Sequence, residues 1–339
     1  MNLFELTRTL VDIESITNNE EEVGLFLLDY LTDLAGRTGG RVERMEVEPR
    51  RFNVLAQWGP APLVTLSTHM DTVPPFFASS EDEEYIYGRA ACDTKGIIAA
   101  MIKAAEGLVE KGGANLGLLF VVGEERNSAG ALVAAQNPRG SRYLINGEPT
   151  ENRLALGSKG ALRYELSARG RMAHSAYPEL GESAIDKLLD ALADIRSIPL
   201  PSDEVLGAGT LNIGTLAGGR APNVIADEAQ AEIMFRLVGD PAAIRQGVAK
   251  ACAGRAEARE ILMIPPVRLG SLPGFKTTVV AYTTDIPAFG GRWGQPFLIG
   301  PGSIHVAHTL EERVAKSQLL EAVQLYQRMV TELWKQESK

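Results

Sequence analysis

The chain has 339 residues, of which 45 % are apolar and 23 % charged, proportions typical of a globular protein large enough for two domains. Its formal net charge of −9 argues against nucleic acid and against an anionic membrane surface as partners. Two cysteines, Cys92 and Cys252, cannot form a disulfide framework, and neither a signal-peptide layout nor an apolar run of membrane-spanning length occurs, so we expect a cytoplasmic protein.

The first part of the chain alternates predicted helices and strands. Apolar residues at helical spacing predict helices over 2–16 and 20–35, and short apolar runs predict strands over 41–47, 53–58 and 63–68. A helix rich in small residues, "TKGIIAAMIKAAEGLVEKG", is followed by the strand "LGLLFVV", the helix "SAGALVAAQ" and the strand "RYLIN". Strands separated by helices predict an α/β domain with a mostly parallel sheet and helices on both faces.

From about residue 160 the pattern changes to longer, alternating strands. The predicted order there is β-α-β-β-α-β, the split βαβ arrangement of ferredoxin-like α+β domains. The chain then returns to the first pattern, with a helix near 276–282, the strand "PFLIG" and a closing helix, "KSQLLEAVQLYQRMVTELWK". We therefore predict a discontinuous first domain, 1–159 and 267–339, interrupted by an inserted domain, 160–266.

Acidic and imidazole side chains stand where the buried strands of the first domain end. These residues are His69, Asp71, Glu124, Glu125, Glu148 and His308, with Asp93 in the loop before the small-residue helix. Because ligands bind outside the carboxyl ends of the strands in parallel α/β sheets, we expect these side chains to gather at one edge. Each one alone has an ordinary explanation as a hydrogen-bonded histidine, a helix cap or a first-turn acid.

Taken together, so many carboxylates at one edge would repel and desolvate one another. The basic residues nearest in sequence, Arg89, Lys95, Arg126 and Lys159, are scattered and do not match them. Divalent cations would compensate the charge, and mixed histidine and carboxylate ligands without a thiolate favour Zn²⁺, with Co²⁺ or Mn²⁺ as substitutes. The ligands suffice for two ions that share one carboxylate, and one glutamate is left over to act as a base.

The segments "STHMDTVP", "YGRAACDTKG", "GEE", "NGEPT", "GRMAHSAYPELGESAI", "NVIADEAQAEIMFR" and "GPGSIHVAH" occur in this order along the chain. In order and spacing they resemble the M20 family of zinc-dependent peptidases and amidohydrolases, over essentially the whole chain. The resemblance implies a catalytic domain interrupted by a lid domain through which two copies form a homodimer. It further implies a cis peptide bond between Asp93 and Thr94.

By this resemblance, one zinc ion would be held by His69 and Glu148 and a second by Glu125 and His308, with Asp93 bridging both. Glu124 would be the general base, with a pKa raised by its enclosed site. Asp71 would fix the tautomer of His69, which the i, i+2 geometry of a strand permits.

The resemblance also assigns three residues of the lid. His174 would stabilise the oxyanion of the tetrahedral intermediate in the partner subunit's active site. Asn223 and Arg236 would bind a substrate carboxylate. The sequence departs from the family pattern at Glu311, where asparagine or aspartate is usual, and at Met234, where an acid is usual. The remaining histidine, His305, is expected to be structural or solvent-facing.

The leading functional hypothesis is an amidohydrolase that removes the acyl group from an N-acyl amino acid, because the segment from "TTDIPAF" to "HVAH" looks most like acetylornithine deacetylase. The alternative is an M20-type exopeptidase that acts on a dipeptide or a short peptide with the same site. Since the scissile bond is an amide in both, the sequence leaves this choice open. A catalytically inactive binding module is the third reading, and it is disfavoured because no predicted ligand or base is missing.

Overall fold

The computed structural model describes residues Met1 to Glu337. The helices are α1 Leu3–Asp12, α2 Glu21–Thr38, α3 Gly96–Val109, α4 Ala129–Gln136, α5 Ala184–Arg196, α6 Ala242–Cys252 and α7 Lys316–Glu337. The strands are β1 Arg41–Glu48, β2 Arg51–Trp58, β3 Val64–His69, β4 Ser80–Glu81, β5 Tyr85–Tyr87, β6 Leu116–Val121, β7 Tyr143–Asn146, β8 Leu154–Ser158, β9 Gly160–Arg169, β10 Ser202–Asp203, β11 Gly207–Ala208, β12 Thr210–Gly218, β13 Glu228–Leu237, β14 Glu257–Ile264, β15 Val267–Arg268, β16 Thr277–Val280, β17 Gln295–Leu298 and β18 Arg313–Ala315.

The chain divides into two units. The first contains Met1–Leu156, Leu269–Thr278 and the chain from Thr284 onward, and the second contains Gly157–Arg268 and Val279–Thr283. The second unit therefore begins three residues before the inserted domain predicted from the sequence and takes in seven further residues after it, Val267, Arg268 and Val279–Thr283.

The first unit is built on a six-stranded sheet in the order β1-β2-β6-β3-β7-β17. The pairings β6·β3, β3·β7 and β7·β17 are parallel, whereas β1 and β2 form an antiparallel edge. Strands β2, β3 and β6 are buried along their whole length, as expected for a sheet with both faces covered. The predicted α/β class with a mostly parallel sheet is confirmed.

Helix α3 is the most deeply buried helix of this unit. Ten of the fourteen residues in its sequence, "GIIAAMIKAAEGLV", are buried, and it packs against both α1 and α7. Gly96 begins the helix at a close approach, because a Cβ atom there would lie 2.5 Å from the carbonyl oxygen of Ala91. The small residues thus allow α3 to lie directly behind the loop that contains Asp93.

The parallel strands bring the predicted polar residues to one edge of the sheet. Strand β3 ends at His69, β6 ends three residues before Glu124, and β7 ends two residues before Glu148. Strand β17 runs parallel to β7, so the loop that leads to His308 starts at the same edge.

The second unit is a four-stranded antiparallel sheet in the order β12-β13-β9-β14. Burial alternates along β13, and the inward residues pack with α5 and α6 into a separate core. With the chain order β9-α5-β12-β13-α6-β14, this is the predicted ferredoxin-like arrangement, which is confirmed.

The helix predicted near 276–282 is wrong, because Thr277–Val280 forms strand β16. The sequence there is "TTVV", four consecutive β-branched residues, whose restricted side chains fit a pleated strand better than a helix. No helix among residues 1–337 combines the length and apolar character needed to cross a membrane.

Candidate metal centre

His69 ends β3 as a buried imidazole between two aspartates. Its Nε2 lies 3.1 Å from Oδ1 of Asp93. Its Nδ1 lies 2.9 Å from the backbone oxygen of Asp71 and 3.5 Å from the carboxylate of the same residue. A proton on Nδ1 is therefore shared mainly with the Asp71 carbonyl, which leaves Nε2 as the nitrogen that faces Asp93.

The carboxylate of Asp71 contacts the loop after β6 as well as His69. It accepts hydrogen bonds from the backbone N–H groups of Glu124 at 3.0 Å and Glu125 at 3.2 Å, and from the Thr17 hydroxyl at 2.8 Å. Burial alone would raise the pKa of Asp71, but the interaction with His69 and these hydrogen bonds outweigh it and lower the pKa. Asp71 therefore orients two different segments of the site.

Asp93 is the central carboxylate. Its Oδ1 faces His69, and its Oδ2 lies 3.3 Å from Nε2 of His308. Burial disfavours its charge, but the two histidines lower its pKa below the ordinary value. The peptide bond from Asp93 to Thr94 is cis, as the resemblance implies.

Two groups of residues could each hold a metal ion, and they share one member. The first group is His69, Asp93 and Glu148, and the second is Asp93, Glu125 and His308. In each group the candidate ligand atoms all lie within 4.8 Å of one another. The structure thus brings together five side chains that the sequence spreads from position 69 to position 308.

The electrostatics of these side chains favour a cation. Burial raises the pKa of Glu148 and also that of Glu125. Among the residues that the structure describes, Oε1 of Glu148 is buried and has no hydrogen-bond partner. Hydrogen bonds to Asp93 and Glu125 raise the pKa of His308 to about 10. The donor set of two imidazoles and three carboxylates fits two divalent cations, and an ion would satisfy the free oxygen of Glu148.

Glu124 belongs to neither group, although it is adjacent to Glu125 in the chain. Its enclosure raises its pKa well above the ordinary value, and repulsion from Asp285, Glu125 and Asp71 adds to the effect. Asp285 was not identified from the sequence. It is itself buried, and burial raises its pKa to about 7. The only sequence signal was one acid in the segment "TTDIPAF".

Glu312 is a second residue that sequence reasoning missed. It is buried and accepts a hydrogen bond from the backbone N–H of Asp93 at 3.2 Å. The sequence drew attention instead to Glu311, which is exposed. Arg89, one of the basic residues that the sequence left unmatched to an acid, is paired with Glu312, because its guanidinium lies 2.5 Å from the Glu312 carboxylate.

The predicted residues of the inserted domain lie in the second unit. His174 and Asn223 are exposed, and the loops that contain them are joined by a hydrogen bond from the Ser175 N–H to the Asn223 carbonyl at 3.0 Å. Arg236 is half-buried on β13, and within residues 1–337 no carboxylate pairs with its guanidinium. His305 is exposed.

Comparison with known proteins gives the family. The family model described as peptidase family M20/M25/M40 matches residues 65–332. The chain belongs to this family. A peptidase M20 domain-containing protein of Schizosaccharomyces pombe is 40 % identical to this chain, covering 97 % of it and 84 % of the relative. A probable carboxypeptidase of Ajellomyces capsulatus is 36 % identical, with coverages of 97 % and 85 %.

The fold is also that of solved M20 structures. The aminopeptidase PepT from Bacillus cereus superposes with a TM-score of 0.80 over 98 % of each chain, at 20 % identity. Membership of the M20 family makes the chain a hydrolase that acts on amide bonds.

Proposed function

We propose that this M20 enzyme is a metal-dependent exopeptidase that cleaves a terminal amide bond of short peptides at a site holding two divalent cations. The observation that carries the proposal is the position of Asp93, which belongs to both groups of candidate ligands. A carboxylate shared between two cations, each with further ligands, is the layout of two-metal hydrolases.

In this proposal His69 and Glu148 would hold one ion, Glu125 and His308 would hold the other, and Asp93 would be shared by both. Zn²⁺ suits the donor set, with Co²⁺ or Mn²⁺ as substitutes. When bound, such ions polarise the scissile carbonyl and lower the pKa of water.

Glu124 is the proposed general base. It is beside the two ligand groups without belonging to either, and its raised pKa suits a carboxyl that takes a proton from the attacking water and gives it to the leaving amine. Asp71 positions it by accepting the hydrogen bond from its backbone N–H. The same carboxylate and the Asp71 carbonyl orient His69, so one residue fixes both the base and a ligand.

We assign substrate contacts to the second unit. His174 is proposed to stabilise the oxyanion in the partner subunit's site of a homodimer, and Asn223 and Arg236 to bind a substrate carboxylate. Within residues 1–337 the half-buried guanidinium of Arg236 has no carboxylate partner, which supports this role because its planar fork matches a carboxylate. Arg236→Ala should raise the KM of peptides with a free C-terminal carboxylate and leave the KM of the corresponding peptide amides unchanged. Separately, sedimentation of the wild-type protein should show the homodimer that the role of His174 requires.

Two hypotheses from the sequence compete for the substrate. The exopeptidase is preferred because the relative at 36 % identity is a probable carboxypeptidase and covers almost the whole chain. Removal of an acyl group from an N-acyl amino acid is the second candidate, supported by the likeness of the segment from "TTDIPAF" to "HVAH" to acetylornithine deacetylase.

A panel of dipeptides, tripeptides, and N-acetyl and N-succinyl amino acids separates the two, assayed with added Zn²⁺ or Co²⁺ and after chelation. The exopeptidase predicts a kcat/KM at least ~10-fold higher on the best peptide than on the best acyl amino acid, a difference of about 1.4 kcal/mol in transition-state binding. The reverse order would identify a deacylase. No turnover of any member with two ions bound would point to the binding module.

A further inference from the structure

Arg89 and Glu312 form an ion pair in the interior of the first unit. Each residue is 1 % exposed, and Nη1 of Arg89 lies 2.5 Å from Oε2 of Glu312. Arg89 lies four residues before Asp93, and Glu312 lies four residues after His308. The pair therefore joins the segment of the proposed bridging ligand to the segment of a terminal ligand.

The second oxygen of Glu312 is directed at the bridging residue. Its Oε1 accepts the backbone N–H of Asp93 at 3.2 Å and lies 3.7 Å from the sulfur of Cys92. The backbone N–H of Gly88 donates to the carbonyl of Glu312 at 3.1 Å, and Nε of Arg89 donates to the carbonyl of Pro75 at the same distance. The segments around Asp93 and Glu312 are thus tied together at several points.

A buried ion pair alone is weak evidence for a role in stability, because the cost of desolvating both charges offsets their attraction. The first unit contains a comparable pair, Arg51 and Glu20, with two N–O distances of 2.7 and 2.8 Å. That pair makes no hydrogen bond to a candidate ligand in the part of the chain that the structure describes. The contact with Asp93 distinguishes the pair of Arg89 and Glu312.

We propose that Arg89 and Glu312 are positioning residues for the bridging carboxylate. Glu312 accepts the hydrogen bond from the backbone N–H of Asp93, and Arg89 holds Glu312 in place through the ion pair. The Asp93 carboxylate is thereby kept facing the other members of both ligand groups. The inference rests on the proposed two-metal site and adds to it the residues that preorganise the shared ligand. Groups that orient a metal ligand affect metal affinity although they do not touch the ion.

The test uses the full chain with Glu312→Gln, and Glu20→Gln as the matched control in the other buried pair. Zn²⁺ is titrated calorimetrically into the chelator-treated protein, with a competing chelator for tight sites, and the melting temperature of the metal-free protein is recorded. We expect Glu312→Gln to weaken the binding of both ions by about 10- to 100-fold. Glu20→Gln should lower the melting temperature and leave the Zn²⁺ affinities at the wild-type values.

A second variant covers the case in which Glu312→Gln does not fold. Arg89→Lys keeps a positive charge opposite Glu312 but lacks the guanidinium fork, so it should weaken Zn²⁺ binding less than Glu312→Gln. Wild-type affinity for both ions in folded Glu312→Gln, or in Arg89→Lys if the first variant is unfolded, would overturn the positioning role. Failure of the wild-type chain to bind two ions would instead overturn the proposed function.

Discussion

Glu124 and Glu125 are neighbours in the chain, yet the fold gives them different surroundings. Glu125 lies 3.0 Å from Nε2 of His308 and belongs to a ligand group, whereas Glu124 belongs to neither group. Both backbone N–H groups donate hydrogen bonds to the Asp71 carboxylate, so the backbone of both residues is held in place. At the scale of single residues, the proposed chemistry depends on this division between ligand and base.

Replacing the proposed base should separate chemistry from metal binding. Glu124→Gln is expected to lower kcat by about 10²- to 10⁴-fold, because the amide cannot accept the proton. The zinc content should remain that of the wild type, and the exposed Glu22→Gln serves as control. Steady-state kinetics and metal analysis test this together. Wild-type kcat in Glu124→Gln would remove Glu124 from its role.

Lys95 is a buried amine whose protonation opposes folding. Burial lowers its pKa from 10.5 to about 7, and its Nζ donates to the carbonyl of Ile13. Between pH 7 and 10.5 the unfolded chain therefore binds a proton that the folded chain does not, and stability must rise with pH across this window. Below pH 7 both states are protonated and this contribution is constant.

In the chelator-treated Lys95→Met variant, the contribution of Lys95 to the pH dependence of stability should be missing. The difference in free energy of unfolding between the variant and the wild type should change by a few kcal/mol from pH 7 to 10.5, in the direction that favours the wild type at high pH. Urea unfolding at a series of pH values measures it. Parallel curves for the two proteins would show that Lys95 is charged in the folded state.

At the scale of elements, α4 holds the loop of Glu124 and Glu125 against the sheet. Gly130 lies in its first turn, where a Cβ atom would be 2.4 Å from Oδ1 of Asn53 and 2.6 Å from the backbone of Val122. The Asn53 side chain also makes hydrogen bonds to the backbone of both residues: its Oδ1 accepts from the Val122 N–H, and its Nδ2 donates to the Gly130 carbonyl. A side chain at position 130 must therefore push α4 away from the sheet.

Gly130→Ala is expected to cost about 1–3 kcal/mol of stability, typical of overpacking, and to weaken zinc binding by moving the Glu125 loop. Gly36→Ala is the matched control. A Cβ atom added there, on the exposed face of α2, would meet no atom of residues 1–337 within 4 Å beyond its chain neighbours and the backbone of its own helix. That change should stabilise the protein by about 0.5–1 kcal/mol. Equal melting temperatures for the two variants would contradict the packing described here.

Helices and strands with a clear hydrophobic periodicity could be predicted from the sequence. Contacts between residues far apart in the sequence could not. In β13, apolar residues occupy every second position of the sequence "EAQAEIMFRL", and this alternation identifies the strand directly. Strand β16 was missed because four residues carry no period, and the surroundings decide their conformation. The pair of Arg89 and Glu312 joins residues 223 positions apart, which no local spacing can indicate.

Within the site, too, some features could be predicted from the sequence and others could not. The gathering of the polar residues that follow the strands was expected from the rule that parallel strands end at one edge. The assignment of ligands to each ion, with Asp93 between them, was implied only by the family resemblance. The hydrogen bonds from Glu124 and Glu125 to Asp71 involve backbone N–H groups, which every residue except proline has, and the sequence therefore could not reveal them.

At the scale of the whole molecule, both candidate ligand groups lie in the first unit. Zinc should therefore stabilise the folded chain by mass action, by about 2.7 kcal/mol for each site at a free concentration of 100 times its Kd. Calorimetric melting with and without Zn²⁺ measures this. Asp93→Asn should lose most of the stabilisation, since Asp93 belongs to both groups. An unchanged response in that variant would contradict a shared ligand.

Anomalous diffraction from crystals grown with Zn²⁺ tests the proposed two-metal site most directly. We expect two zinc peaks in each chain, one among His69, Asp93 and Glu148 and one among Asp93, Glu125 and His308, with the Asp93 carboxylate between them. No zinc at these side chains, or zinc bound by other residues only, would contradict the site.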